Sequence, residues 1–224
     1  MNILVTGGSS GLGAAVVAAI AKRGGQPYVI DRQAPAEGVP WVECELADTR
    51  AAEAATRRII EQSGGLDGVV TAAGTDTPGK LADIAPEVWE RVVTVDLFAT
   101  AAVVRAALPA LRDSHGTVVT VASTLGLKAV SDATAYCAAK FGVVGFTRAL
   151  AAELAGQVGV TLLVPGGMRT RFFDGRDEQY KPGPDAVLND PANVAAAVVF
   201  ALSQPPGCAV RELVVCAETE TSYP

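Results

Sequence analysis

Basic charge is in short supply. The 224 residues hold 18 Lys and Arg against 24 Asp and Glu, a formal net charge of −6. That balance excludes the extended basic footprint that nucleic acid or an anionic lipid surface requires, and leaves small molecules as the expected partners. Histidine is scarcer still: His115 stands alone, and the four cysteines, Cys44, Cys137, Cys208 and Cys216, include no C-x-x-C pair. No zinc site of ordinary ligand spacing can be assembled from them. The cysteines are expected to be free, mostly buried thiols in a reducing cytoplasm; Cys137 adjoins Tyr136 and is read as apolar filler rather than a redox group. Charges interrupt the Ala/Val-rich segments, so no apolar run is expected to reach the roughly 18 residues of a membrane span. The opening residues read as a strand and not as a signal peptide. Repeats, low-complexity runs and interdomain linkers are lacking too.

Half of the residues are apolar, 19% are charged and 23 are glycine, a composition suited to one well-packed domain spanning residues 1–224. Short β-branched runs at Asn2–Thr6, Pro27–Asp31, Trp41–Cys44, Gly68–Ala72, Thr117–Ala122, Val160–Val164 and Leu213–Cys216 read as buried strands. Ala-rich segments of helical period lie between them at Gly11–Arg23, Thr49–Gln62, Phe98–Leu111, Thr134–Leu154 and Ala192–Ser203. Near-continuous apolar strands alternating with helices demand a parallel sheet covered on both faces, hence an α/β doubly wound fold of about seven strands. The long irregular stretch Gly166–Asp190 mixes Gly and Pro with Arg169, Arg171, Arg176, Phe172, Phe173 and Tyr180, and reads as a substrate-covering loop. Glu218–Pro224 reads as a tail.

Thr6-Gly7-Gly8-Ser9-Ser10-Gly11-Leu12-Gly13 joins the first strand to the first helix. A Gly-rich turn there lets backbone N–H groups and the helix dipole meet a pyrophosphate. Asp31 closes the second strand, twenty residues after Gly11, where a carboxylate accepts hydrogen bonds from ribose hydroxyls and repels a 2′-phosphate. NAD is therefore favoured. Arg32 leaves NADP open, because a guanidinium there either binds a 2′-phosphate or stacks on adenine.

Tyr136-Cys137-Ala138-Ala139-Lys140 puts a phenol and an ammonium at i and i+4, on one helical face. A positive charge beside a phenol favours the phenolate, so Lys140 is expected to lower the Tyr136 pKa and ready it for proton exchange.

With these residues in hand the chain resembles the short-chain dehydrogenase/reductase family, single-domain branch, over nearly its whole length. Thr6–Gly13 matches the family's TGxxxGxG; Ser123 lies thirteen residues before Tyr136, at the family's separation; Pro165-Gly166, followed by Thr170, resembles the segment that holds the nicotinamide carboxamide. The resemblance implies a Rossmann-type domain that oxidises a secondary alcohol or reduces a ketone with a nicotinamide cofactor. It makes Ser123, Tyr136 and Lys140 catalytic, with Ser123 bonding the substrate oxygen, Tyr136 acting as general acid or base and Lys140 holding the nicotinamide ribose. Ala72, Ala73, Gly74, Met168, Glu45 and the Leu46 backbone join Thr6, Gly7, Ser9, Ser10, Gly11, Leu12, Gly13, Asp31 and Arg32 as the implied cofactor contacts. Dimers or tetramers of identical chains are implied as well.

Two departures stand out. Thr71-Ala72-Ala73-Gly74 replaces the usual Asn-Asn-Ala-Gly, and Asp96 replaces an Asn that commonly completes the proton relay. An ionised Asp96 accepts hydrogen bonds but donates none, which predicts an altered pH dependence. Val130, Met168, Phe172 and Phe173 are candidates for apolar pocket walls; Lys128, Arg169, Arg171 and Arg176 are candidates for an anionic substrate group. The rival readings are a dinucleotide-binding sensor or scaffold without turnover, and a dehalogenase-like reaction on the same fold. Retention of Ser123, Tyr136 and Lys140 opposes the first, and retention of the Gly turn and Lys140 opposes the second.

Overall fold

The computed structural model describes residues 1–223. Seven parallel strands form one sheet in the order β3-β2-β1-β4-β5-β6-β7. They are β1 (Asn2–Thr6), β2 (Gln26–Asp31), β3 (Trp41–Glu43), β4 (Gly68–Thr71), β5 (Thr117–Val121), β6 (Gly159–Pro165) and β7 (Glu212–Val215). The helices are α1 (Gly11–Lys22), α2 (Thr49–Ser63), α3 (Pro86–Val93), α4 (Ala99–Ser114), α5 (Thr134–Glu153) and α6 (Pro191–Leu202). Adjacent strand residues point to opposite faces, and both faces are buried. Leu4, Ile30, Val69, Val118 and Val160 meet α2, α4 and α5 on one side. Ile3, Val5, Val29, Val70, Val119 and Leu163 meet α1 and α6 on the other. The doubly wound expectation holds, with each strand placed to within a residue or two of its sequence assignment.

The sequence reading missed α3 and the turn of π-helix at Thr94–Phe98 that joins it to α4. Pro86 at the first helical position was the available signal. The result is a continuous helical run, Pro86–Ser114, of 29 residues that by length and composition is apolar enough to cross a membrane. This corrects the expectation that charges break every such run. Here the run serves as a core helix: half of its apolar window is buried, with Val103, Val104, Ala107 and Leu111 packed against the sheet.

Two smaller corrections concern the cysteines and the tail. All four cysteines are free, but only Cys44 and Cys137 are buried; Cys208 is exposed and Cys216 half-buried. The described part of the tail packs down: Glu220 accepts from the Gly167 N–H at 2.9 Å, the Thr124 and Ser222 hydroxyls lie 2.6 Å apart, and Lys128 donates to the Thr221 carbonyl at 3.0 Å. Pro224 lies outside the described residues.

Candidate active site

The chain enters the sheet at its centre with β1, winds outward to β3, then crosses back to β4. The order therefore reverses between β1 and β4, and a crevice opens at their carboxyl ends, where open α/β sheets bind ligands. A cleft of ≈ 550 Å³ lies there, lined by the Gly turn, the ends of β2, β4, β5 and β6, the first turns of α5 and the segment Met168–Asp174.

On the β1 side the turn is shaped for close approach. Gly7 has φ +70°, and a Cβ on it would come within 2.7 Å of the Ala73 backbone; a Cβ on Gly13 would come within 2.1 Å of the Gly7 carbonyl oxygen. Helix α1 begins at Ser10 with no side-chain cap and no acidic residue in its first turn. Its leading N–H groups therefore face the cleft without a capping partner, the arrangement that accepts a phosphate. Asp31 is held in place by the Ser9 N–H at 3.0 Å, the Ser9 hydroxyl at 2.5 Å and the Gln33 N–H at 3.2 Å. Arg32 and Gln33 flank it along the cleft. Glu45 lines the wall beyond, ion-paired with Arg91 of α3 at 2.9 Å, and Leu46 adjoins it. Arg91 was not anticipated, because the helix that carries it was not.

Most of the cofactor set converges on this cleft: Gly7, Ser10, Gly11, Leu12, Asp31, Arg32, Glu45, Leu46, Ala72, Ala73, Gly74, Pro165, Gly166, Met168 and Thr170 all line it. Three residues do not reach its surface and act behind it. Thr6 is buried and its hydroxyl accepts from the Ala73 N–H at 3.2 Å; Ser9 serves Asp31; Gly13 lets α1 lie against the turn.

At the other end Tyr136 and Lys140 lie one turn apart at the start of α5, both buried. The Lys140 ammonium stands 5.4 Å from the Tyr136 ring centroid, 3.1 Å from the Asp96 carboxylate and 3.1 Å from the Val121 carbonyl oxygen. Ser123 follows β5; its hydroxyl accepts from the Leu125 N–H at 3.1 Å and lies beside Tyr136, without itself lining the cleft. Asp96 sits in the π-helical turn, fully buried, and also accepts from the Thr75 N–H at 2.8 Å.

The electrostatics differ from the sequence expectation. The Tyr136 pKa is raised, not lowered: burial outweighs the pull of Lys140, and the Asp96 and Asp76 carboxylates add to the rise. Burial pushes the Asp96 carboxyl up against the opposing effect of Lys140. For Lys140 burial opposes the charge, but Asp96 and Tyr136 outweigh it and its pKa is raised. The physical reason is first the burial of the phenol, and second the carboxylates at 96 and 76, which offset part of the positive field that Lys140 presents.

The remaining substrate-side expectations divide. Phe172 and Phe173 line the cleft, and the Phe172 ring lies 5.6 Å from that of Tyr136. Arg171 also lines it. Val130 is exposed outside the cleft, Arg169 is exposed, Lys128 is committed to the tail, and Arg176 is paired with Asp76 at 3.0 Å. Asp76, absent from the sequence reading, is a cleft-lining carboxylate; only the folding of the 166–190 segment onto it reveals its role.

Comparison with known proteins agrees with this geometry. The short chain dehydrogenase family matches residues 1–181. L-fucose dehydrogenase of Mus musculus is 29% identical over 242 residues, covering 99% of this chain and 89% of its own. The 3-oxoacyl-(acyl-carrier-protein) reductase MabA of Mycobacterium tuberculosis is 29% identical over 211 residues, covering 91% and 85%. Among solved structures, a variant of the actinorhodin polyketide ketoreductase with NADPH superposes with a TM-score of 0.83 at 28% identity, covering 96% and 95%. The aldohexose dehydrogenase of Thermoplasma acidophilum shares the fold, with a TM-score of 0.86 at 22% identity over 96% and 92%. The chain belongs to the short chain dehydrogenase family of oxidoreductases.

Proposed function

We propose that the protein interconverts a secondary alcohol and a ketone with a nicotinamide cofactor, NAD in preference to NADP, and that Tyr136 transfers the proton. The observation that carries this reading is the placement of Tyr136 and Lys140, with Ser123 beside Tyr136, at one end of a cleft whose other end holds an uncapped helix N-terminus and an oriented Asp31. When bound, the nicotinamide supplies or accepts the hydride. The protein's own residues do the rest. The Gly turn and α1 receive the pyrophosphate, and Asp31 takes the adenosine ribose hydroxyls. Lys140, buried beside Tyr136, holds the nicotinamide ribose and steadies the phenolate. Ser123 bonds the substrate oxygen and Tyr136, so that the proton passes between the substrate oxygen and the phenol over a short, water-poor path. The raised Tyr136 pKa favours the protonated acid, the form that ketone reduction requires.

Asp31 supports NAD because its carboxylate is fixed by two groups of Ser9, although the actinorhodin ketoreductase was solved with NADPH. A cytoplasmic setting is part of the proposal, supported by four free cysteines. So is a dimer or tetramer, supported by Phe98, just before α4, and Phe141, in α5, large apolar side chains that are 54% and 45% exposed.

Titration with NADH and NADPH in parallel, then turnover of an alcohol and ketone panel by wild type and Tyr136→Phe, tests the reading. The expected result is tighter NADH binding and a loss of turnover of at least a hundredfold in the variant, the scale of general acid–base catalysis. Binding of neither nucleotide, or full activity of Tyr136→Phe, would overturn it.

A further inference from the structure

The segment between β6 and α6 is tied at its base, where Arg169 N–H donates to the Asn189 carbonyl and Asn189 N–H to the Gly167 carbonyl, both at 2.9 Å. Within the closed loop Arg176 turns inward. Its guanidinium lies over two aromatic rings, 4.7 Å from the Phe172 centroid and 4.9 Å from that of Phe173. Its Nη2 reaches Asp76 Oδ2 at 3.0 Å, and the two side chains are only 11% and 5% exposed. Asp76 belongs to the opposite wall, in the segment that follows β4, two residues beyond Gly74. Phe172 in turn packs on Tyr136, so one chain of contacts runs Asp76, Arg176, Phe172, Tyr136.

We propose that Asp76 and Arg176 form a latch that closes the 166–190 segment and positions Phe172 against Tyr136, making both of them positioning residues that shape the substrate side of the cleft. This rests on the reading of Tyr136 as the proton-transfer residue. A planar, stacked guanidinium is the group that can brace two aromatic rings and still meet a carboxylate; an ammonium would not. The latch is also poised to open. Asp76 Oδ1 and Arg176 Nε and Nη2 have no aligned hydrogen-bond partner, and a buried ion pair with unmet hydrogen bonds adds little net stability. Four groups face Asp76: Arg176 from the loop, Asp96 from the π-helical turn, and Lys140 and Tyr136 from α5. Burial, opposed by Arg176 and reinforced by Asp96, pushes the Asp76 carboxyl up to about 6. The latch is therefore ionised and closed above that pH, and loses its charge pairing below it. The wall it sets is apolar on the Phe172 side, which suits a substrate carrying an apolar group next to the carbinol or carbonyl carbon.

The test compares wild type, Asp76→Asn and Arg176→Lys by substrate KM, by the Kd of NADH, and by amide hydrogen exchange of residues 170–181 at pH 5 and pH 8, corrected for intrinsic rates. The latch predicts that both variants raise substrate KM roughly tenfold or more with the Kd of NADH unchanged. It predicts that wild type exchanges faster in this segment at pH 5 than at pH 8, and that Asp76→Asn exchanges fast at both. The double variant should be no worse than either single one. Wild-type exchange that is the same at both pH values, or variants with unchanged substrate KM, would overturn the latch. Absence of wild-type turnover would instead overturn the functional reading, while the exchange experiment still decides the latch.

Discussion

A carboxylate at position 96 sets the electrostatics that Lys140 offers to Tyr136. Lys140 has three donors and finds Asp96 and the Val121 carbonyl at 3.1 Å each. Gly74 makes room for this pair, since a Cβ there would sit 3.2 Å from the Asp96 carboxylate. The negative charge is one of the causes that raise the Tyr136 pKa. Asp96→Asn removes it and keeps an acceptor for the Thr75 N–H. The phenol then ionises more readily, and because alcohol oxidation needs the phenolate, the rising limb of its pH–rate profile moves to lower pH. A profile of kcat/KM against pH for both proteins checks this; an unmoved limb means that Asp96 does not govern Tyr136.

Helix ends show how the same structural device is used or withheld according to place. Helix α2 is stopped and started by the sequence: Asp48 accepts from the Arg50 and Ala51 N–H groups, and Gly64 ends it at φ +72°. Helix α6 likewise begins on Asp190 with Pro191 next. Helix α1, at the cleft, has no side-chain cap. Asp48→Ala should therefore lower stability by about 1 kcal/mol, the usual worth of a cap. Ser10→Ala should change it by far less, because the Ser10 side chain makes no capping bond; urea unfolding of both variants measures the contrast. If Ser10→Ala costs as much as Asp48→Ala, the α1 N-terminus is not free for a ligand.

At the scale of the molecule, the cleft spans both halves of the sheet, from β2 through the switch between β1 and β4 to β6. A nucleotide seated there ties the two halves together and stabilises the native state by mass action. At a hundredfold excess over Kd this amounts to about 2.7 kcal/mol, which for a chain of this size raises Tm by roughly 5–10 °C. NADH is expected to give the larger rise at equal concentration, and Asp31→Ala to erase the difference between NADH and NADPH. Thermal scans with each nucleotide check both statements. Equal rises in wild type would show that Asp31 does not discriminate.

The strands, five of the six helices, the Gly turn, Asp31 and the Tyr136–Lys140 pair follow from local features: β-branched runs, helical period, glycine placement and i, i+4 spacing act over a few residues and are written in the chain itself. Helix α3 and its π-helical junction were hidden because the residues before Phe98 combine a weak apolar pattern with charges whose burial depends on partners elsewhere. Asp76 and Arg176 are a hundred residues apart, and nothing local marks either as buried. The direction of the Tyr136 pKa shift was likewise beyond the sequence, since Lys140 alone predicts a fall and only packing reveals that burial and two carboxylates prevail. Periodicity and spacing determine elements and the residues they present; long-range burial, which sets the cost of every charge, is decided only when the sheet and its covering loop come together.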